Sequence, residues 1–318
     1  MSPSPLTFFA LSGSRELGDA IAAELALAVA PHEERDFEDG EHKARPLQDV
    51  RGHDVFVLHN LHGDARQSGN DKLCRLLFFC GALRDAGAAR VTAVTPYLCY
   101  ARKDRRTKQN DPVTTRYVAT LFEAMGVDTV ITAEVHNLAA FENAFRCRTL
   151  HVDTMPLFAE YFAGHLRNIQ AVAVSPDAGG AKRAEQFRQA LEARTGQLVS
   201  SAYMEKFRSS GVVSGDILAG DVRGKAAIIV DDLIATGGTL LRAARACRAA
   251  GAQQVFAAAA HGLFTGGATA LFGAAEINEV VVTNILPAPQ AMPPGARLAV
   301  ADASAALARA IAAVHAAP

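Results

Sequence analysis

An α/β protein built on parallel sheets is what this sequence predicts, and three observations predict it. Short, near-continuous apolar runs recur along the chain, as in strands buried on both faces of a parallel sheet. Helical stretches separate them, several closing on a Gly, as a helix C-terminus favours. One apolar run also ends in two aspartates and a Gly-Gly turn that leads into another helix, "IIVDDLIATGGTLLRAARACRAAGA" from Ile228 to Ala252. A repeated β–α alternation of this kind gives an α/β architecture.

In order, the strands are expected at "DVFVLHNL" (54–61), "RVTAVTPY" (90–97), "TVITAEV" (129–135), "QAVAVSP" (170–176), "AAIIVDD" (226–232), "QVFAAAAH" (254–261) and "EVVVTNIL" (279–286). "DKLCRLLFFCGALRDAGA" and "TTRYVATLFEAMGV" read as helices between them, and "ASAALARAIAAVHAAP" as a last helix. Two rounds of the pattern fit, residues 1–150 and 151–318, each with its own sheet. No low-complexity linker joins them.

Composition excludes several classes of function. Half of the 318 residues are hydrophobic and the formal net charge is −1, so bulk attraction to nucleic acid or to an acidic membrane is not expected. No apolar run approaches the ~20 residues that span a bilayer. The stretch "MSPSPLTFFALSGSRELGDA" lacks a basic region followed by a long apolar one, and a cytoplasmic protein is expected. Five scattered cysteines without CxxC spacing read as reduced thiols, with Cys74, Cys80 and Cys247 in packing positions.

The Asp-Asp-to-Gly-Gly turn carries the chemistry. Ligands of open parallel sheets bind at the carboxyl ends of the strands, where Asp231 and Asp232 fall. Ala235, Thr236, Gly237, Gly238 and Thr239 follow just where a helix starts, and a helix start presents unpaired N–H groups and a positive dipole end to an anion. Glycines let the backbone approach a phosphate, and threonine hydroxyls add donors. The aspartates repel a phosphate, so their natural partners are hydroxyls or a metal. A phosphate flanked by vicinal hydroxyls is a sugar phosphate, with ribose 5-phosphate the obvious case.

This turn resembles the phosphoribosyl-binding loop of the phosphoribosyltransferase fold. On its own, the resemblance leaves open enzymes that attach a base to phosphoribosyl pyrophosphate and those that make that compound. "DDLIATGGT", with Ala235 where most synthetases carry Asp, is closer to adenine phosphoribosyltransferases. The remaining motifs resemble ribose-phosphate diphosphokinases (phosphoribosyl pyrophosphate synthetases) along nearly the whole chain and in order. These are "FEDGEHKARPLQDVRGHDVFVL", "TPYLCYARKDRR", the strand ending "AEVHN", "SPDAGGAKRAEQF", "EKFRSSGVVSGDILAGDVRGK" and the closing "AAAAHGLFTGG" and "EVVVTNILP". The resemblance implies two phosphoribosyltransferase-like, Rossmann-like domains. It also implies transfer of the diphosphoryl group of ATP to the 1-hydroxyl of ribose 5-phosphate, giving AMP.

The resemblance also implies roles. Phe37, Asp39 and Glu41 match the segment that holds adenine, an arm that in the family comes from a neighbouring subunit of a homo-oligomer, dimer-based and up to a hexamer. Read alone, the same segment is a surface acidic hairpin. Arg102 and Lys103 match the ATP-phosphate site, with Lys103 in place of the usual Gln. His136 and Asp177 match Mg2+ positions, and Mg2+ takes oxygen ligands while keeping waters. Lys206 and Arg208 match the catalytic cations of a mobile loop that closes over ATP; read alone, they are solvated charges in a polar stretch of poor periodicity. Departures accompany the matches: Glu134 stands for Asp and Asn137 for Ala. Asp49 and Asn110 replace a hydroxyl and an arginine of the phosphate/ADP regulatory site, so activity is expected to need little added phosphate. Two other readings stay open, a phosphoribosyltransferase or phosphoribosyl-binding regulator, and a catalytically silent subunit of a synthetase.

Overall fold

The computed structural model describes residues 4–166, 169–209, 212–289 and 292–317, with the backbone alone for 206–209, 212–216 and 269. The chain divides into two compact units. One comprises the residues up to Val152 together with those from Ser304 onward, and the other Asp153–Ala303.

The first unit runs β1 (Leu6–Ala10), α1 (Arg15–Glu24), β2 (His32–Asp36), β3 (His42–Pro46), β4 (Asp54–Leu58), α2 (Gly69–Asp85), β5 (Arg90–Val94), α3 (Thr114–Ala124), β6 (Thr129–Ala133), α4 (Leu138–Ala144) and β7 (Arg148–Val152). Five strands form a parallel sheet in the order β1-β4-β5-β6-β7, and β2 and β3 form a separate antiparallel hairpin. Helix α2 starts on a capping box, in which Ser68 accepts from the Asp71 N–H and the Asp71 carboxylate accepts from the Ser68 N–H at 2.7 Å.

The second unit runs α5 (Met155–His165), β8 (Ala171–Ser175), a 3-10 turn (Ala178–Gly180), α6 (Ala181–Thr195), β9 (Ser200–Ser209), β10 (Val212–Ala219), β11 (Ala226–Ile234), α7 (Gly238–Ala249), β12 (Gln254–Gly262), α8 (Thr269–Phe272), β13 (Glu279–Thr283) and β14 (Leu298–Ala301). Its seven-stranded sheet has the order β10-β9-β8-β11-β12-β13-β14 and is parallel except for the β9–β10 pair. The unbroken apolar run of β11 now has its cause. Ala227 and Ile229 enter one core with Val172 and Val174, while Ala226, Ile228 and Val230 enter the core on the opposite face with Ala171 and Ala173. A strand covered on both sides has no polar face to alternate.

All seven strands expected from apolar runs are present, so the α/β class with parallel-dominated sheets holds. Two features differ from the sequence reading. The stretch around Lys206 and Arg208 lacks periodicity and reads as a loop, yet its backbone forms the antiparallel edge hairpin β9–β10, with Lys206 opposite Asp216 and a bulge between Val213 and Asp216. Helix α9 (Ser304–Ala316) falls in the second half of the sequence, but it joins the first unit, packing on α1 and β7. Its stripe of Leu307, Ala308, Ile311 and Val314 is buried. A buried carboxylate fixes its end: Asp54, at the start of β4, accepts from Arg90 Nη2 at 2.5 Å and lies 2.7 Å from His315 Nδ1. The same guanidinium donates to the carbonyls of His315 and Ala317 at 3.0 and 2.6 Å. No helix among the described residues is long and apolar enough to cross a membrane.

Candidate active site

The register Ile229↔Val174 between β11 and β8 brings the carboxyl ends of these neighbouring strands to one edge of the second sheet. Asp231 and Asp232 lie there in the last part of β11, just before its end at Ile234, and Asp177 follows β8 by two residues. Asp232 is 4% exposed. Asp231 Oδ1 accepts the Asp232 N–H at 2.9 Å. Burial pushes the Asp231 carboxyl above its ordinary range, and the hydrogen bond and negative charge of Asp232 add to the rise. Arg183 of α6 pulls the other way, with its Nη1 3.5 Å from Asp231 Oδ1 and 4.0 Å from Asp232 Oδ1.

The turn that follows presents backbone. Gly237 sits at φ 76° just before α7, a conformation that costs an L side chain about 1–2 kcal/mol. A methyl there would also lie 3.0 Å from Leu271 Cβ. No side chain caps α7, so nothing from the described side chains competes for its first-turn amides. Thr236 is exposed and Thr239 half-buried beside those amides. Behind the turn, the Leu263 and Phe264 N–H groups both donate to the Ile234 carbonyl at 3.0 Å, and Phe264 packs against Phe272. This turn can hold a phosphate, with the carboxylate pair alongside to accept from hydroxyls.

Asp177 has a structural duty. Its Oδ1 accepts from the Gly179 and Gly180 N–H groups at 2.9 and 3.1 Å, forming the 3-10 turn. Its Oδ2 has no partner among the described residues, and an oxygen-seeking Mg2+ fits that atom. No group of three or more His, Cys, Asp or Glu side chains comes together among the described residues.

In the first unit, Phe37, Asp39 and Glu41 lie in the turn of the β2–β3 hairpin. The Phe37 N–H donates to the Glu41 carbonyl at 2.8 Å, the Glu41 N–H to Asp39 Oδ1 at 3.1 Å, and the Arg35 guanidinium lies 5.1 Å from the Phe37 ring centre. Glu34 holds the hairpin to the sheet. It accepts from the Ser12 N–H and hydroxyl at 2.7 and 2.8 Å and from Arg75 Nη1 at 3.3 Å, and it lies 2.9 Å from His32 Nε2. Burial opposes its charge, but the hydrogen bonds from His32 and Ser12 outweigh burial and lower its pKa to about 2.

Arg102 is exposed in the loop after β5, whereas Lys103 is engaged: its ammonium donates to Asp111 Oδ2 at 2.8 Å. That bond, with others from Thr107, holds the Asp111 carboxyl well below the usual carboxylate range. Exposed His136 lies just beyond β6. The adjoining Asn137 donates to Asp104 Oδ2 at 2.6 Å and accepts the Ala140 N–H, which ties the His136 segment to the Arg102 loop. The Asn137 substitution thus has a local use. Phe37, Asp39 and Glu41 make no hydrogen bond or ion pair to that loop among the described residues. The side chains of Lys206 and Arg208 lie outside the described residues. Sequence reasoning passed over Arg183, although it stands inside the quoted "SPDAGGAKRA" motif; a cation read without its neighbours looks like surface charge.

The chain is similar to known proteins along most of its length. A family model described as the N-terminal domain of ribose phosphate pyrophosphokinase matches residues 6–126, and one described as a phosphoribosyl synthetase-associated domain matches residues 213–317. A ribose-phosphate pyrophosphokinase 1 of Streptococcus pyogenes is 33% identical over 291 residues, covering 91% of this chain and 88% of the relative. A ribose-phosphate pyrophosphokinase of Caldanaerobacter subterraneus subsp. tengcongensis is 36% identical over 286 residues, covering 90% and 87%. A crystal structure of phosphoribosylpyrophosphate synthetase from Mycobacterium smegmatis superposes with a TM-score of 0.88 at 33% identity, covering 98% of this chain and 99% of that one.

Proposed function

The chain belongs to the ribose-phosphate pyrophosphokinase family, and we propose that it is a working enzyme that makes phosphoribosyl pyrophosphate and AMP from ATP and ribose 5-phosphate. The observation that carries this reading is the Asp231–Asp232 pair, Asp232 buried and Asp231 half-buried, set beside the uncapped start of α7. The first-turn amides of α7 with Thr236 and Thr239 hold the 5-phosphate, and the carboxylates accept from the ribose hydroxyls. So oriented, the anomeric hydroxyl oxygen attacks the β-phosphorus of ATP in line. The new oxygen–phosphorus bond forms as the bond to the α-phosphate bridge breaks, AMP leaves, and the hydroxyl proton passes to solvent. Diphosphoryl transfer spreads negative charge over the moving group, and by family position Lys206 and Arg208 supply the opposing cations. Arg102 contributes a cation at the triphosphate, while Lys103 first has to leave Asp111 to do so. Mg2+, when bound, would offset charge on the ATP phosphates; by family position Asp177, through its Oδ2, and His136 are each proposed as metal positions. Positioning and charge neutralisation carry the step without a strong general base. A cytoplasmic homo-oligomer in which the Phe37–Glu41 turn reaches the adenine of a neighbouring subunit completes the proposal.

A coupled assay of AMP release from ATP, Mg2+ and ribose 5-phosphate tests this reading. AMP and phosphoribosyl pyrophosphate formed one for one are expected. No AMP release, with ribose 5-phosphate still bound, would instead favour a silent subunit. Ala235 is the one feature that favours a phosphoribosyltransferase, and consumption of phosphoribosyl pyrophosphate with adenine would support that alternative.

A further inference from the structure

We propose that Arg183 is the positioning residue that makes the Asp231–Asp232 pair usable by an anionic sugar. The inference rests on the reading of this strand end as the ribose 5-phosphate site, and it adds a member that neither the strand nor the phosphate turn contains. Two carboxylates in sequence at a buried strand end repel each other, and both repel a substrate that carries a phosphate. Arg183 rises from α6, the helix that follows the neighbouring strand, and its side chain is only 10% exposed. Its Nη1 lies between the pair, 3.5 Å from Asp231 Oδ1 and 4.0 Å from Asp232 Oδ1. At those separations the Nη1 end of the guanidinium offsets charge on both carboxylates. Next to it, a methyl at Gly180 would collide with Ser175 Oγ at 2.8 Å, while its 3.9 Å approach to Arg183 Nη1 is an ordinary contact. A permanently charged, planar guanidinium suits this place better than a compact ammonium.

Ribose 5-phosphate binding to the full chain is measured by calorimetry with Mg2+ present, and Michaelis constants are measured for both substrates. Arg183→Met is expected to weaken ribose 5-phosphate binding by about tenfold or more, since truncating one partner of a buried charge pair is costly. The ATP constant should stay within about twofold, and Arg183→Lys should fall between the two. Millimolar guanidinium is expected to restore sugar-phosphate binding to Arg183→Ala but not to Asp231→Asn, a response that a purely structural role would not give. Should Arg183→Met fail to fold, Arg183→Lys carries the comparison. Unchanged ribose 5-phosphate binding in a folded variant overturns the inference, as does an equal loss for both substrates. Wild-type protein that binds ribose 5-phosphate without releasing AMP removes the proposed activity and leaves this inference standing on the binding data. Wild-type protein that does not bind it removes both.

Discussion

At the scale of single residues, the site is held together against its own electrostatics. The Asp231 carboxyl titrates above its unfolded value because it is buried beside Asp232. A carboxyl with a raised folded pKa binds its proton more tightly in the folded state, so stability falls as pH rises from the unfolded pKa towards the folded one. Asp231→Asn removes that cost. The substrate-free variant is therefore expected to melt higher than wild type near neutral pH, with the gap closing towards pH 4, while ribose 5-phosphate binding is lost. A variant that melts at or below the wild-type temperature throughout would count against this account. Lys206 belongs to the same scale. If it acts on the moving diphosphoryl group, Lys206→Ala lowers kcat by about 100-fold or more with the ribose 5-phosphate KM nearly constant. Retention of half the wild-type turnover would end that assignment. Asp49 makes a third case. Its exposed carboxylate accepts the Arg51 N–H at 3.0 Å and is kept ionised by that bond. Anionic Asp49 opposes phosphate, so turnover in phosphate-free buffer is expected to match turnover across a phosphate titration. Steep activation by phosphate would contradict it.

At the scale of elements, the phosphate turn is set by what lies behind it. Gly237 tolerates neither its backbone angle nor the Leu271 contact with a side chain added. Gly237→Ala is expected to cost roughly 1–2 kcal/mol in strain and to weaken ribose 5-phosphate binding while ATP binding stays unchanged. Equal binding of both substrates by the variant and wild type would show that the turn adapts. Strand legibility follows the same physics. β4, β5, β6, β8, β11, β12 and β13 were readable because burial on both faces leaves their central residues almost all apolar. β7 and β14 carry residues such as His151 and Val300 that are not fully buried, so their apolar runs break early. The β9–β10 pair was unreadable for another reason: an edge hairpin with a bulge follows no single period. Among site residues, the Asp-Asp pair and Gly-Gly turn stood out because residue type and spacing alone imply an anion beside hydroxyls. Arg183 and Leu271 did not, since their parts depend on contacts across elements that spacing does not encode.

At the scale of the whole molecule, two units of related design share one chain, and the division is not sequential. An Ala-rich amphipathic helix announces that it buries a stripe but not against what, so the partner of α9 was beyond the reach of pattern reading. Arg90 joins Asp54 to the carbonyls at the end of that helix, so Arg90→Ala leaves a fully buried carboxylate short of its main partner. A loss of about 3 kcal/mol in unfolding free energy is expected by denaturant titration, with release of α9 seen as faster amide exchange in 304–316. An unchanged midpoint would show that His315 alone satisfies Asp54. The return of α9 also has a consequence in time. A ribosome delivers residues 153–303 before it delivers the helix that closes the earlier unit. The unit made first is thus the unit finished last, and α1 and β7 wait without their covering helix while the later residues assemble. Nascent chains halted before Ser304 should therefore resist protease in the later unit and yield to it in the earlier one.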